Sequence, residues 1–483
     1  MIKRLIRKVF GINRRDDPTV LSAAQHGIAR DQISNGARKV CESLQASGYA
    51  AYVVGGAVRD LLQGVKPKDF DVATDATPEQ VHRVIRRSRL IGRRFKLVHA
   101  LFGAETVEVS TFRAGTQDAA EPVPDHDASV DEHGRVLRDN VFGTRVQDAA
   151  RRDFTINALY YDPVNETVLD YHAGVADLRR KAVRIIGDAT QRYREDPVRM
   201  LRAIRFAAKL DFSIAADTRK PIGELTELLR NVPASRLFEE TLKLLLSGHA
   251  VACVRKLREE GLQRGVLPIL DEIAAEAQSE RFLQLALAQT DRRLHEDKPI
   301  SPAFLFATVL WHGVRHAWHD AMDQGARPVP AIQDVMDGVI DRHNDTLAIP
   351  RRFTATMKEI WALQPRLEAN SGRRPYALLE HPRFRAAYDF LALRAESGEV
   401  STELVDWWTR FQTASSAERE QMLLPQTAGS APRRRRRRRP GSARPDERGI
   451  STGTAASNAD QPPAEGPGAL TRGDGASRGP DAH

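Results

Sequence analysis

The chain has 483 residues, 41% of them hydrophobic and 28% charged, with a formal net charge of +9. That length exceeds one ordinary core and predicts roughly two to four domains. The two cysteines, Cys41 and Cys253, exclude a disulfide framework and stand in no metal-ligand spacing, so no disulfide partner is expected and a reducing cytoplasm is the expected compartment. No apolar run is long enough to span a bilayer, and the apolar part of residues 1–10 is too short for a signal peptide.

The positive charge sits at the two ends. Lys3, Arg4, Arg7, Lys8, Arg14 and Arg15 face no acid within residues 1–15, and residues 1–20 read as a basic extension that attracts polyanions without reading sequence. Residues 1–10 alternate apolar and basic side chains, a make-up that also suits weak contact with an anionic membrane surface. From about 33 to 186, strand-like and helix-like segments alternate. A strand over 49–54 ends at Gly55-Gly56, a helix is predicted over 81–89, and strands over 96–102 and 106–112. Residues 114–144 are polar and rich in Asp, Pro and Gly. They include Asp125, His126, Asp127, Asp131 and His133, but in no ligand spacing, and a mobile loop is predicted.

After about 187 the pattern is helical, with apolar spacing in 197–210 (Val198, Leu201, Ile204, Ala208) and again in 237–246, 282–287, 304–311 and 404–411. Ser, Ala, Gly, Pro and Arg dominate from about 414, and residues 433–439 are seven consecutive arginines. Residues 432–483 carry eleven arginines against six acids, which leaves residues 16–431 slightly negative, at −2. Such a tail buries too little apolar area to offset its ordering entropy, so 416–483 is predicted to be disordered, its arginines suited to nucleic acid or an acidic partner.

Chemistry concentrates in residues 53–78, VVGGAVRDLLQGVKPKDFDVATDATP. The strand ends at Gly55 and Gly56, and glycines there let backbone N–H groups and a helix N-terminus approach a phosphate. Asp69 and Asp71 flank Phe70. On a strand, alternation places both carboxylates on one face and Phe70 on the other. Adjacent acids repel, but they suit a pair of divalent cations about 4 Å apart, which can activate a hydroxyl and neutralise a leaving pyrophosphate. Glu108, alone between Val107 and Val109, is the candidate third ligand; otherwise it is a solvent-facing strand residue.

GGAVRD followed by DFDVATDATP resembles the nucleotidyltransferase head shared by class II tRNA CCA-adding enzymes and bacterial poly(A) polymerases. Residues 151–159, RRDFTINAL, resemble that family's second motif. Residues 195–199, EDPVR, with the following MLRAIRFAAKL, resemble its base-reading helix, and the similarity continues through VPASRLFEE at 232–240. The resemblance implies an α+β fold: a small mixed-sheet head over 33–186, a helical neck over 187–250, and a helical body and leg over 251–415. It implies ATP as substrate, two Mg2+ ions on Asp69, Asp71 and Glu108, and nucleotide contacts from Gly55, Gly56, Arg59, Arg152, Asp153, Asn157, Asp196, Arg199, Arg202 and Arg205. The residue types suit this, because arginines fork onto phosphate oxygens and a carboxylate accepts from ribose hydroxyls.

Asp196 and Arg199 are three apart, which predicts one helix face, and by the resemblance they address the base edge. Adenine and cytosine both offer an amine beside a ring nitrogen acceptor, so the pair accepts either. Guanine or uracil would leave Asp196 unpaired, at a cost on the order of 1–3 kcal/mol. Residues 90–99, LIGRRFKLVH, and the arginine run resemble the polyadenylating branch, as do IPRRF at 349–353 and HPRF at 381–384; Ala100 stands where a larger aliphatic is expected. The C-terminal half lacks a His-Asp hydrolase pattern. The expected function is template-independent polyadenylation of RNA 3′ ends, marking RNA for decay, with an RNA chaperone or the decay machinery as partners. The alternatives are CCA addition to tRNA and a non-catalytic RNA-binding protein on a retired head.

Overall fold

The computed structural model describes residues 17–92, 96–114, 142–344 and 347–423. The basic residues 1–15, most of the polar loop, and the arginine-rich run lie outside the described residues.

An eight-stranded mixed sheet carries the N-terminal part, with strands β1 (Thr19–Ser22), β2 (Ala51–Val54), β3 (Asp71–Thr74), β4 (Ser88–Ile91), β5 (Leu97–Phe102), β6 (Glu105–Thr111), β7 (Leu159–Asp162) and β8 (Thr167–Asp170). Their spatial order is β1-β8-β7-β2-β3-β6-β5-β4. β3 and β6 run parallel, and every other neighbouring pair is antiparallel. The sheet thus takes in Thr19–Ser22, which begins inside the basic extension read over 1–20 and lies ahead of a head expected to start at 33.

One face of the sheet is covered by helix α1 (Asn35–Ala46), whose Ala37, Val40, Cys41 and Leu44 are buried and whose first turn is capped by the Ser34 hydroxyl. Helices α2 (Gly56–Leu62) and α3 (Pro78–Val84) follow β2 and β3. The helix expected over 81–89 stops at Val84. Ile85 leaves helical geometry (φ −103, ψ 87), and Ser88–Ile91 pair with β5 instead. Sheet pairing overrides the local helical spacing there.

After β8 the chain becomes helical apart from a two-stranded parallel ladder, β9 (Ala182–Val183) with β10 (Ser213–Ile214). The principal helices are α4 (Arg145–Arg151, before β7), α5 (Ala189–Glu195), α6 (Val198–Leu210), α7 (Ala234–Leu245), α8 (Ala277–His295), α9 (Pro302–Val309), α10 (Trp311–Asp323), α11 (Pro328–Asn344), α12 (Arg351–Glu368), α13 (Phe384–Glu396), α14 (Thr402–Thr413) and α15 (Ser416–Met422). The apolar stripe read in 197–210 is buried at each of Val198, Leu201, Ile204 and Ala208. One apolar core runs from the sheet through these helices as far as Leu393, and a second gathers Leu363, Phe384, Trp407, Trp408 and Phe411. α15 lies inside the stretch expected to be disordered, held because Ser415 and Glu418 form a capping box and Trp407 donates to the Met422 carbonyl at 3.1 Å. No helix among the described residues is long and apolar enough to cross a membrane.

Candidate active site

β2 is buried along its whole length and ends at Gly55, whose φ of 72 and ψ of −131 are closed to residues with a Cβ. A Cβ there would also lie 3.5 Å from Arg152 Nη1. The turn makes Gly56 the first residue of α2, and the antiparallel register places Asp71 opposite Val54, beside the turn. The parallel register then aligns Asp71 with Glu108, and the next antiparallel pair aligns Glu108 with His99. Directly paired residues share a face, so Asp71, Glu108 and His99 form a row across three strands. Val72, Val107 and Val109 point the other way into the core. His99 Nε2 stands 3.8 Å from Glu108 Oε2.

The strand begins at Asp71, so Asp69 is delivered by the segment leading into it and not by the strand itself. The expected alternation still holds, with Asp69 and Asp71 exposed and Phe70 packed on the core. Displacement of water by surrounding protein, then repulsion from Glu108, raises the Asp71 carboxyl to about 6; Arg152 opposes this and Asp69 adds to it. Asp71 keeps an open side to solvent, which screens these interactions, and Asp69 and Glu108 bear on it as like charges that Arg152 offsets only in part. That set of oxygen donors fits divalent cations of the magnesium type.

Around the glycine turn, Arg59 is buried (3% exposed) and donates to Asn157 Oδ1 at 2.7 Å and to Asp60 Oδ1 at 2.8 Å. Arg59 and Asn157 therefore brace each other across α2 and the turn before β7. Arg152 donates through Nε and Nη2 to Asp148 Oδ2, at 3.2 and 3.1 Å, and through Nε to the Tyr160 hydroxyl at 3.1 Å. Its Nη1 is left near the Gly55 turn.

A second cluster forms where α5 meets α6. Asp196 does not share a helix face with Arg199: it sits in an extended kink (φ −150, ψ 92) between the two helices. Pro197 disfavours helical geometry in the residue before it. Asp196 Oδ2 accepts from Arg236 Nη2 at 2.6 Å, while Asp196 Oδ1 is buried with no hydrogen-bond partner among the described residues. Arg199 donates to Glu195 Oε2 at 3.0 Å and to the Arg192 carbonyl at 2.8 Å, and lies 3.7 Å from Asp153 Oδ1. Arg202 pairs with Asp153 Oδ2 at 2.6 Å, and the Arg205 guanidinium stands 4.7 Å over the Phe206 ring. The Nε atoms of Arg192, Arg199, Arg202 and Arg205 are all buried and unpartnered. Burial, then neighbouring guanidinium groups, lowers the pKa of Arg192 and Arg205. Arg192, Arg199 and Arg202 share Glu195 and Asp153, and buried unpaired donors and acceptors carry an energetic cost unless a ligand satisfies them.

Sequence reasoning gave no role to Asp148, Tyr160, Arg192, Glu195, Arg236 or His99. The i, i+3, i+7 spacing of Arg192, Glu195 and Arg199 was a legible signal for part of this. Arg236 and Tyr160 reach the site only through tertiary folding. His312 and His316, four apart on α10, meet Glu276 with ligand atoms within 4.8 Å of one another. Arg315 already bonds both Glu276 oxygens and lies 3.2 Å from His316 Nε2, so a guanidinium supplies the cation there.

This mixed sheet with its helical continuation is the architecture of nucleotidyltransferases. The Bacillus stearothermophilus CCA-adding enzyme in complex with CTP superposes with a TM-score of 0.52 at 26% identity, covering 78% of this chain and 82% of that one. Residues 51–184 match the model of the poly A polymerase head domain, 211–273 that of the probable RNA and SrmB- binding site of polymerase A, and 324–441 that of the polymerase A arginine-rich C-terminus. Poly(A) polymerase I of Haemophilus influenzae is 45% identical over 419 residues, 86% of this chain and 92% of its own length, whereas the CCA-adding enzyme of Lactobacillus helveticus is 37% identical over 44% of this chain. The chain belongs to the bacterial poly(A) polymerase I family.

Proposed function

We propose that this protein extends RNA 3′ ends with adenylate from ATP, releasing pyrophosphate, without a template. The observation that carries the reading is the row Asp71–Glu108 beside the Gly55-Gly56 turn, with Asp69 at its edge and an arginine cluster bearing unpaired buried donors on α6. Asp69, Asp71 and Glu108 would hold two Mg2+ ions, which supply an activated 3′-hydroxyl and charge neutralisation at the triphosphate. The chain's own groups align the reactants. The Gly55-Gly56 backbone approaches the triphosphate, and Arg152 offers it Nη1. Asp153 accepts from ribose hydroxyls, and the free Asp196 Oδ1 accepts the base's amine while Arg199 donates to its ring nitrogen. Arg202 and Arg205 add positive charge, and Arg59 with Asn157 braces the turn. Phosphoryl transfer needs such positioning more than a protein base.

The division of labour we propose follows the chain: catalysis in 33–186, base reading and RNA binding in the neck over 187–250, and a further hold on RNA from the basic ends. The setting would be the bacterial cytoplasm and the role RNA decay, alongside an RNA chaperone or decay factors. The test is extension of a labelled unstructured RNA with Mg2+, with ATP and CTP supplied separately, beside a tRNA lacking its terminal CCA. Long tails with ATP alone on the plain RNA support the proposal. Addition limited to CCA on the tRNA moves the reading to a CCA-adding enzyme, and no extension of either substrate moves it to a binding protein.

A further inference from the structure

Asp148, on α4, is 2% exposed. Its Oδ2 accepts from Arg152 Nε and Nη2 and from the Tyr160 hydroxyl at 2.7 Å, and its Oδ1 accepts from Arg151 Nε at 3.0 Å and the Arg113 N–H at 3.3 Å. A buried carboxylate this fully bonded is a fixed anchor. Burial alone would favour its neutral form, but Arg152 and Arg151 outweigh that and hold its carboxyl below the usual range.

Arg152 stands between two anions. One edge of its guanidinium is forked onto Asp148. The other, Nη1, lies 3.4 Å from the Asn157 carbonyl and faces Gly55. Its charge is also felt at Asp71. Asp71 pairs with Val54 at the edge of that same turn, so a guanidinium released from Asp148 has a carboxylate beside it, and a cation paired there competes with a metal ion for the same oxygens.

We propose that Asp148 is a positioning residue that holds Arg152 beneath the glycine turn, so that Nη1 addresses the triphosphate while Asp71 stays free for a metal ion. This rests on the proposed reading of the carboxylate face. Asp148 acts only through Arg152, and Tyr160 shares the load on Oδ2.

The test uses the full chain, with Mn2+ binding followed by calorimetry in the absence of ATP and RNA. Asp148→Asn keeps the shape and removes the charge. It is expected to weaken Mn2+ binding about tenfold, the range in which outer partners tune a metal site, and to raise the KM for ATP. Asp148→Asn combined with Arg152→Gln removes the competing cation and is expected to restore Mn2+ affinity to near the wild-type value, which a merely structural role would not do. Tyr160→Phe is expected to lower the Tm while leaving Mn2+ affinity unchanged. A folded Asp148→Asn that binds Mn2+ as tightly as wild type, or a double variant that stays weak, overturns the inference. Should Asp148→Asn not fold, Arg152→Gln alone decides. An affinity that is unchanged or modestly raised supports the anchor, since only the long-range repulsion of a held guanidinium is lost, whereas a tenfold loss means that Arg152 helps to build the metal face, and overturns it. A wild-type chain that binds no Mn2+ overturns the carboxylate reading itself, and this inference with it.

Discussion

The carboxylate face of the sheet and the arginine cluster at the α5–α6 junction are electrostatic opposites built by different means. The first is open, anionic and set by strand register: Asp71 pairs with Glu108, and the paired valines turn inward. The second is half-buried, cationic and set by a proline kink, with contacts from α7 and from residues near 150. A sheet displays like charges side by side at fixed spacing and leaves them for an external cation. A helix junction buries charges, so the protein must supply most partners and leaves a few atoms unsatisfied for the ligand. We read the first as serving chemistry and the second as serving choice.

The sharpest way to break this comparison is Asp71→Asn. Loss of one metal-binding carboxylate is expected to lower kcat about a thousandfold or more, several kcal/mol of transition-state stabilisation. The Tm of the metal-free variant should match or exceed wild type, because the substitution removes repulsion from Glu108 and Asp69. A variant that retains activity within tenfold in a primer-extension assay would remove Asp71 from the metal face.

The arginine cluster should respond differently. Arg236→Ala frees Asp196 Oδ2 and leaves the acceptor unaimed. Incorporation of GTP and UTP relative to ATP is expected to rise by roughly 5- to 100-fold, the scale of one unpaired buried polar group, with a smaller loss of kcat than for Asp71→Asn. Measured kcat/KM ratios for the four nucleotides check this; unchanged ratios would show that Arg236 does not aim Asp196.

A pH series separates the two regions again. A folded-state carboxyl raised to about 6 binds a proton more readily than in the unfolded chain. Stability contributed by this group therefore declines as pH rises from about 4 through 6, and stays reduced above that. Metal binding needs the ionised form, so apparent Mn2+ affinity should fall as pH drops through about 6 and be flat above 7. Flat affinity from pH 5 to 8 would mean that burial and the neighbouring carboxylates do not raise Asp71, or that Asp71 does not hold the metal ion.

The carboxylate face is legible in the sequence where a strand's two-residue period maps onto faces, as for Asp71 and for Glu108 between its valines, whereas Asp69, expected on the same strand, lies in the segment just ahead of it. The neck was legible as a stripe, since Val198, Leu201, Ile204 and Ala208 repeat at helical spacing. Asp196 was misplaced by the same reasoning, because helical spacing was carried across Pro197, where the backbone cannot follow it. The edge strand β4 was missed because its pairing with β5 is a tertiary event that Val81 and Ile85 do not announce. Asp148 stands three and four residues before Arg151 and Arg152, a spacing visible in the sequence, but its Tyr160 partner and the Arg236–Asp196 pair forty residues apart are meetings that no local pattern encodes.

The smallest effect on chemistry is expected from the basic end of the chain. Residues 433–439 put seven arginines in a row, against a body of net charge −2 over residues 16–431. If that run holds RNA by phosphate contact, deletion of 430–483 should leave kcat with saturating RNA within about twofold of wild type, since no residue of the carboxylate face or the arginine cluster is removed. The cost should fall on RNA affinity and on its salt dependence. Each phosphate contact to single-stranded RNA contributes about 0.7 to the slope of log K against log salt, so loss of several contacts flattens the slope by a few units and weakens binding most at low salt. Fluorescence anisotropy across a salt series measures both. A truncated chain with the wild-type slope would assign the RNA's electrostatic hold to the arginines of the folded part, and would leave the arginine run without a role on RNA.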